Sequence, residues 1–219
     1  MGGRGSPGLY TTGHSRLFPR VGSRSVPGPT TMTPNAVIDL FRASGALLEG
    51  HFRLSSGLHS PAYLQCALVL QWPEHAARLA EAIAARVRDL APTVVLSPAL
   101  GGIVIGQEVA KWLGTRAIFT ERQDGAMALR RGFALDPVDR VLVVEDVLTT
   151  GGSTRETMSV ASSRAATVVG AAAIIDRHGA LDLGVPLHSL AHLPLPTYTA
   201  EDCPLCARGL PVTKPGSRT

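Results

Sequence analysis

Val141-Leu142-Val143-Val144-Glu145-Asp146-Val147-Leu148-Thr149-Thr150-Gly151-Gly152-Ser153-Thr154 is the stretch that decides how this 219-residue chain folds. Four consecutive apolar residues, Val141 to Val144, predict a fully buried parallel strand. A hydroxyl- and glycine-rich loop follows, then a helical pattern from Ser153 to Ala166. Gly151 and Gly152 lack a Cβ, so the backbone can turn sharply and aim its N–H groups at an anion. Thr149, Thr150, Ser153 and Thr154 add hydroxyls, and Ser153 or Thr154 is expected to cap the helix, whose N-terminus contributes partial positive charge. The adjacent acids Glu145 and Asp146 do not suit a pure phosphate site, because like charges repel. They call for a neutral or cationic partner on the same ligand, such as a sugar diol or a magnesium-bound group. No lysine follows the glycines, which excludes the nucleoside-triphosphate loop. Gly-x-Gly-x-x-Gly is absent, which excludes the dinucleotide fingerprint.

Outward from this stretch, strand candidates Thr93 to Ser97, Arg116 to Thr120 and Val168 to Ile175 alternate with helix candidates His75 to Leu90 and Gly102 to Leu113. In the first helix Leu79, Ile83, Val87 and Leu90 recur at spacings of three and four, one apolar face. Strands alternating with helices predict an α/β fold, a central and mostly parallel sheet flanked by helices. Ligand loops then belong at the carboxyl ends of the strands: Ser97 to Gly102, Glu121 onward, Glu145 to Ser153, and Asp176-Arg177. Four candidate segments fall on one edge. With 45% hydrophobic residues, the chain is long enough for one domain with a sizeable core.

Glu145 to Ser153 resembles the phosphoribosyl pyrophosphate (PRPP) motif of type I phosphoribosyltransferases. The resemblance implies that Glu145 and Asp146 hold the ribose hydroxyls, and that Val147, Leu148, Thr149, Thr150, Gly151, Gly152 and Ser153 form the 5′-phosphate loop. Residues 50 to 65, Gly-His-Phe-Arg-Leu-Ser-Ser-Gly-Leu-His-Ser-Pro-Ala-Tyr-Leu-Gln, resemble the N-terminal segment of orotate phosphoribosyltransferases. Ser97-Pro98-Ala99-Leu100-Gly101-Gly102 resembles that family's pyrophosphate loop, which places Ala99, Leu100 and Gly101 on PRPP. Asp176-Arg177 resembles its strand-end arginine, which implies orotate binding by Arg177 with Thr149, Ser56 and Gly57. The similarity runs from about Met32 to the C-terminus in the family's order. It implies a type I phosphoribosyltransferase-like sheet with a small hood from residues 32–71 and the tail after Gly184, around a core of about 72–184. It also implies Mg²⁺ carried on PRPP, with Asp146 as its candidate protein ligand, and a homodimer.

Arg177 closes the apolar strand from Val168 to Ile175, and its planar fork suits a carboxylate or a carbonyl pair. The competing role is a surface arginine paired with Asp176 or Asp182. The chain departs from the family in its cations. It has two lysines, Lys111 and Lys214, and neither lies in a motif; Lys111 is expected in solvent. Where relatives carry lysines, this chain holds Ser55, Gly101 and the stretch Glu121 to Gly132, and the family's loop histidine is missing. Positive charge for the departing pyrophosphate then falls to Arg122, Arg130 or Arg131, with Mg²⁺. Arginine keeps its proton at neutral pH, so it acts as an electrostatic clamp and not as a general acid. The alternative for Arg130-Arg131 is a solvated basic turn.

Residues 1–31 are rich in Gly, Pro, Ser and Arg, with four arginines and no acid, so the net charge of +4 belongs wholly to them. The pI of about 9.3 is therefore no argument for nucleic-acid binding by the domain. These residues are expected to be a disordered tail or an over-extended reading frame, with Met32 as a natural start. Thr33 to Leu47 predicts a short helix with Pro34 in its first turn. No run of 18 apolar residues exists, so no membrane span is expected.

Three cysteines suit a reducing cytoplasm. Cys203-Pro-Leu-Cys206-Ala-Arg-Gly resembles one zinc knuckle, but a closed zinc site needs four ligands and no second Cys pair exists. A metal-free turn is the favoured expectation. Cys66 with a histidine, or two knuckles across a dimer, are the ways to complete a site. Two rivals to orotate transfer stand beside it: a purine-directed phosphoribosyltransferase, against which the Phe52 to Tyr63 segment argues, and a PRPP-sensing regulator that has lost catalysis.

Overall fold

The computed structural model describes residues 32–54 and 56–215; the N-terminal extension and Ser55 lie outside the described residues. The first element is helix α1 (Pro34–Ala43), with Thr33 as its N-cap and Pro34 in its first turn. Thr33 Oγ1 accepts from the Ala36 N–H at 3.2 Å. The helix stops earlier than its apolar pattern suggested, because Leu47 opens strand β1 (Leu47–Arg53), which pairs antiparallel with β2 (His59–Leu64).

Helices α2 (Cys66–Leu70) and α3 (Pro73–Val87) lead into strand β3 (Val94–Pro98). Helix α4 (Gly101–Leu113), strands β4 (Arg116–Gln123) and β5 (Ala126–Leu129), and strand β6 (Arg140–Leu148) follow. Helix α5 (Gly152–Ser162), strands β7 (Thr167–Asp176) and β8 (Leu187–His192), and the one-turn helix α6 (Pro204–Ala207) complete the chain. The main sheet runs β5-β4-β3-β6-β7-β8, parallel throughout except for the β4–β5 hairpin at one edge.

The apolar run that opened the sequence sits at the centre of that sheet, covered on both faces. Leu142 and Val144 pack into the cluster shared with Leu79, Ile83, Val87 and Ile105. Val141 and Val143 point the other way, toward Val94, Leu96 and Ala161. Alternate residues of one strand thus feed two cores, as the pleat requires. Each fully buried Leu or Ile contributes about 1.5–3 kcal/mol relative to exposure.

Two expectations need correction. β6 does not end at Val144: Glu145 pairs with Ala173 and Leu148 with Asp176, so the acidic pair lies within the strand. The segment after Gly184 is not wholly outside the sheet either. β8 is its sixth strand, because Leu190 and Ala191 bury against the core that β7 leaves open.

Candidate active site

The carboxyl ends of β6 and β7 face one cavity of about 950 Å³, closed from the other side by the β1–β2 turn and the C-terminal tail. Asp146, Thr149 and Thr150 enter it from the β6 loop, Arg177 from β7, and Ser56 and Leu58 from the hairpin turn. These are the segments that the sequence assigned to donor and acceptor.

The acid pair is arranged asymmetrically. Ser153 Oγ and Thr154 Oγ1 donate to the two oxygens of Glu145 at 2.5 and 2.6 Å. The two hydroxyls expected to cap α5 therefore anchor Glu145 instead. Gly151 takes the cap position at φ +75°, with no side-chain cap, so the first N–H groups of α5 keep capacity for an anion. A side chain on Gly151 would also collide with Leu181. The middle of α5 is held to the sheet by the buried Thr157–Thr120 hydroxyl pair at 3.0 Å.

Burial pushes the Glu145 carboxyl above the usual range, against the lowering effect of its two hydroxyl donors. Burial does the same to Asp146, whose own Val147 N–H at 2.9 Å pulls the other way. The Asp146 carboxylate lines the cavity beside the phosphate loop and suits a hard divalent cation, so this residue fits Mg²⁺.

The pyrophosphate-loop candidates lie between β3 and α4, where the Ala99 N–H donates to the Thr120 carbonyl at 2.8 Å. Gly101 packs directly on Asp146: a Cβ there would sit 2.6 Å from its Oδ2. Leu100 projects into solvent, 83% exposed.

Arg177 is not a paired surface arginine. Asp176 accepts the N–H groups of His178 and Gly179, and Asp182 that of Gly184. Arg177 makes one contact of 3.3 Å to the Leu195 carbonyl, and its Nε is a buried donor with no partner among the described residues. Burial lowers its pKa, an arginine that gains from an incoming anion. Gly57 shapes the neighbouring turn at φ +85°.

The three arginines proposed as pyrophosphate clamps are elsewhere. Arg122 on β4 pairs with Glu156 of α5 at 3.0 and 3.1 Å, and Arg131 pairs with Glu121 at 2.7 and 2.8 Å. Arg130 is exposed at the end of the same hairpin. None of them lines the cavity of their own chain. Lys111 is solvated beside Glu108, as expected.

Several lining residues escaped the sequence, Lys214 and Cys66 among them. Lys214 reaches the cavity because Thr213 exchanges backbone hydrogen bonds with His51 and Arg53 of β1, a pairing that no local motif announces. Cys66 lies beside Asp146 at the start of α2, and burial, with that carboxylate, pushes its thiol well up. It is therefore a neutral neighbour of the site, and not a partner for Cys203 and Cys206. Those two cysteines meet His51 and His59 instead.

Among known proteins, the phosphoribosyl transferase domain family matches residues 67–183. An orotate phosphoribosyltransferase of Pelotomaculum thermopropionicum is 50% identical over 188 residues, 85% of this chain and 99% of its own length. That of Chlorobaculum parvum is 50% identical over 189 residues, 86% of this chain and 98% of its own. Among solved structures, the orotate phosphoribosyltransferase of Aeropyrum pernix superposes with a TM-score of 0.62 at 25% identity, over 72% of this chain and 93% of that one. An adenine phosphoribosyltransferase of Trypanosoma brucei reaches 0.54 at 18%, over 70% of this chain and 79% of that one. At that distance the likeness is one of fold alone. The helices of the described residues include none long and apolar enough to cross a membrane.

Proposed function

This chain belongs to the orotate phosphoribosyltransferase family, and on that premise we propose that it joins orotate to PRPP, giving orotidine 5′-phosphate and pyrophosphate for pyrimidine biosynthesis. The observation that carries the proposal is the convergence of Asp146, Thr149, Arg177 and Ser56 on one cavity. The loop proposed to bind the donor and an arginine whose Nε has no partner among the described residues, proposed to meet a planar carboxylate, both line it.

The chemistry asks little covalent work of the protein. A ring nitrogen of orotate gives up its proton, to solvent or to the departing pyrophosphate oxygens, and bonds to C1 of the ribose as the C1–O bond to pyrophosphate breaks, the electron pair of that bond leaving on pyrophosphate. Glu145 and Asp146 would hold the ribose hydroxyls, and the Thr149 to Ser153 loop the 5′-phosphate. Arg177 would orient the orotate carboxylate or a carbonyl pair. Cys66 is the one thiol beside the donor, and its raised pKa argues against a covalent intermediate. Mg²⁺ on PRPP would be met by Asp146 and would supply positive charge toward the leaving group.

The β4–β5 hairpin carries Arg122, Arg130 and Arg131 away from the cavity of its own chain. In this proposal it serves the cavity of a second copy, so the working unit is a homodimer, in the cytoplasm and without nucleic acid. The test is pyrophosphate release from PRPP and Mg²⁺ with orotate, adenine, hypoxanthine and uracil in separate reactions. Release with orotate alone is the expected result. Release with another base would redirect the acceptor, and release with none would leave a PRPP-binding regulator.

A further inference from the structure

His51 on β1, His59 on β2, Cys203 at the N-cap of the one-turn helix α6 and Cys206 within it bring their ligand atoms within 4.8 Å of one another. They are separated by up to 155 residues in the chain. Three of them are nearly sealed, with His51 and His59 each 5% exposed and Cys203 1% exposed. From this convergence we infer that the four residues form a structural zinc site, with His51 Nε2, His59 Nδ1 and the two Sγ atoms as ligands.

Distances favour a shared central ion. Zinc bonds of about 2.0–2.1 Å to nitrogen and about 2.3 Å to sulfur, arranged tetrahedrally, set edges of roughly 3.3 Å between nitrogens and 3.5 Å between nitrogen and sulfur. His51 Nε2 lies 3.5 Å from Cys203 Sγ and 3.6 Å from Cys206 Sγ. His59 Nδ1 lies 3.2 Å from Cys206 Sγ and 2.9 Å from His51 Nε2. Small movements open the nitrogen pair onto the tetrahedron.

The surroundings orient the ligands. The other ring nitrogen of His51, Nδ1, is 2.8 Å from the Leu210 carbonyl, an acceptor that fixes its proton there. The Nε2 lone pair is thereby aimed into the cluster, as second-sphere carbonyls do for metal-bound histidines. The knuckle is folded by its own backbone: the Ala207 N–H donates to the Cys203 carbonyl and the Gly209 N–H to the Cys206 carbonyl. Gly209 stands at φ +67°, where a glycine is favoured. Two sulfurs and two imidazoles suit Zn²⁺ better than a hard cation, and four protein ligands leave no open position for catalysis.

The site would act as a staple. The tail is joined to the hairpin by backbone pairs on both sides of the cluster, His59 with Tyr198 and Thr213 with His51 and Arg53. Both partners contribute walls to the cavity, Ser56 and Leu58 from the hairpin and Lys214 from the tail. A zinc ion crossing the two would hold that wall in register without touching substrate.

Metal analysis of the purified full-length chain tests this without reference to turnover. About one zinc per chain is expected, falling to near zero in the Cys203→Ser/Cys206→Ser double variant. Should that variant not fold, wild-type protein stripped by a chelator and titrated with Co²⁺ gives the second measurement. Intense visible bands of tetrahedral cobalt with thiolate charge transfer, saturating at one equivalent and displaced by Zn²⁺, would support the site. Stripped protein should also melt at a lower temperature and recover on zinc addition. A zinc-free wild type that takes up no tetrahedral cobalt overturns the inference, and so does full zinc retention by the double variant.

Discussion

Gly101 lies against Asp146 so closely that its missing side chain is part of the site: a Cβ would stand 2.6 and 2.7 Å from the two carboxylate oxygens. The pyrophosphate-loop candidate and the acid pair, 45 residues apart in sequence, are thus one packed unit. Gly101→Ala must push Asp146 out of its position or shift the start of α4. Overpacking of this kind costs about 1–3 kcal/mol. The expected result is a lowered Tm together with a raised KM for PRPP, and a smaller change in KM for orotate. Unchanged Tm and KM in this variant would mean that the contact is not maintained in solution.

Burial holds Glu145 and Asp146 above the usual carboxylate range, and this sets a pH dependence with two opposite signs. For stability, raised folded values favour the protonated fold, so that contribution is present at low pH and is lost as pH rises through them. For activity, the proposed role requires the ionised pair, since as carboxylates they would accept the ribose hydroxyls. The acid limb of kcat/KM should therefore lie above the ordinary range of a free carboxyl. Glu145→Gln should flatten part of this limb while lowering turnover by about 10²-fold, the scale of one lost electrostatic partner. A limb that stays put in both Glu145→Gln and Asp146→Asn would assign it to other groups.

Arg177 has a buried Nε without a partner among the described residues, so the protein already bears the desolvation that an anion would relieve. Removing it should cost about 1.5–3 kcal/mol of acceptor binding, the range for a charged hydrogen bond. Arg177→Ala is expected to raise KM for orotate by one to two orders of magnitude and to leave KM for PRPP within a few-fold. Arg177→Lys should recover little, since an ammonium cannot reproduce the planar fork. Equal effects on both substrates would place Arg177 in a structural role.

The strand–loop–helix unit proposed to bind the donor was legible in the sequence because it is local. Strand, acids, hydroxyls and glycines of residues 141–154 follow one another, and a strand end followed by a helix leaves few arrangements. Even there the details differed, since Ser153 and Thr154 bond Glu145 rather than the helix terminus. What could not be read was whatever depends on chain segments meeting from far apart. Lys214 enters the cavity only through the pairing of Thr213 with β1. The partners of Cys203 and Cys206 are histidines on the two strands of a hairpin about 150 residues earlier, spaced by eight and matched by no knuckle pattern. Arg122 and Arg131 were readable as charge, but their glutamate partners were not.

The Arg122–Glu156 pair is half exposed, so its contribution to folding should stay within about 0.2–1 kcal/mol. Arg122→Ala is expected to shift Tm by a few degrees at most. If the β4–β5 hairpin serves a neighbouring protomer, turnover should nevertheless fall by about 10²-fold. Mixing Arg122→Ala protein with Arg177→Ala protein then provides the check. Shared sites would restore part of the activity in mixed dimers, because one of the two cavities would carry both intact residues. No recovery after subunit exchange would confine the arginines to their ion pairs.

Lys214 is the one lysine at the cavity, exposed and carried on the tail. An ammonium in that setting interacts with a bound anion through a largely aqueous medium, worth about 1 kcal/mol at contact distance. Lys214→Ala should therefore raise the KM of an anionic substrate by about fivefold and change kcat little. The effect should shrink as salt rises, because an exposed charge is screened over a Debye length of about 8 Å at physiological ionic strength. Arg177, which is partly buried, should keep its effect over the same salt series. Comparing KM for orotate in the two variants between low and high salt separates the two cations. A Lys214→Ala penalty that is large and insensitive to salt would show that the tail closes over the substrate and buries this lysine during turnover. A penalty that vanishes already at low salt would remove Lys214 from the binding machinery.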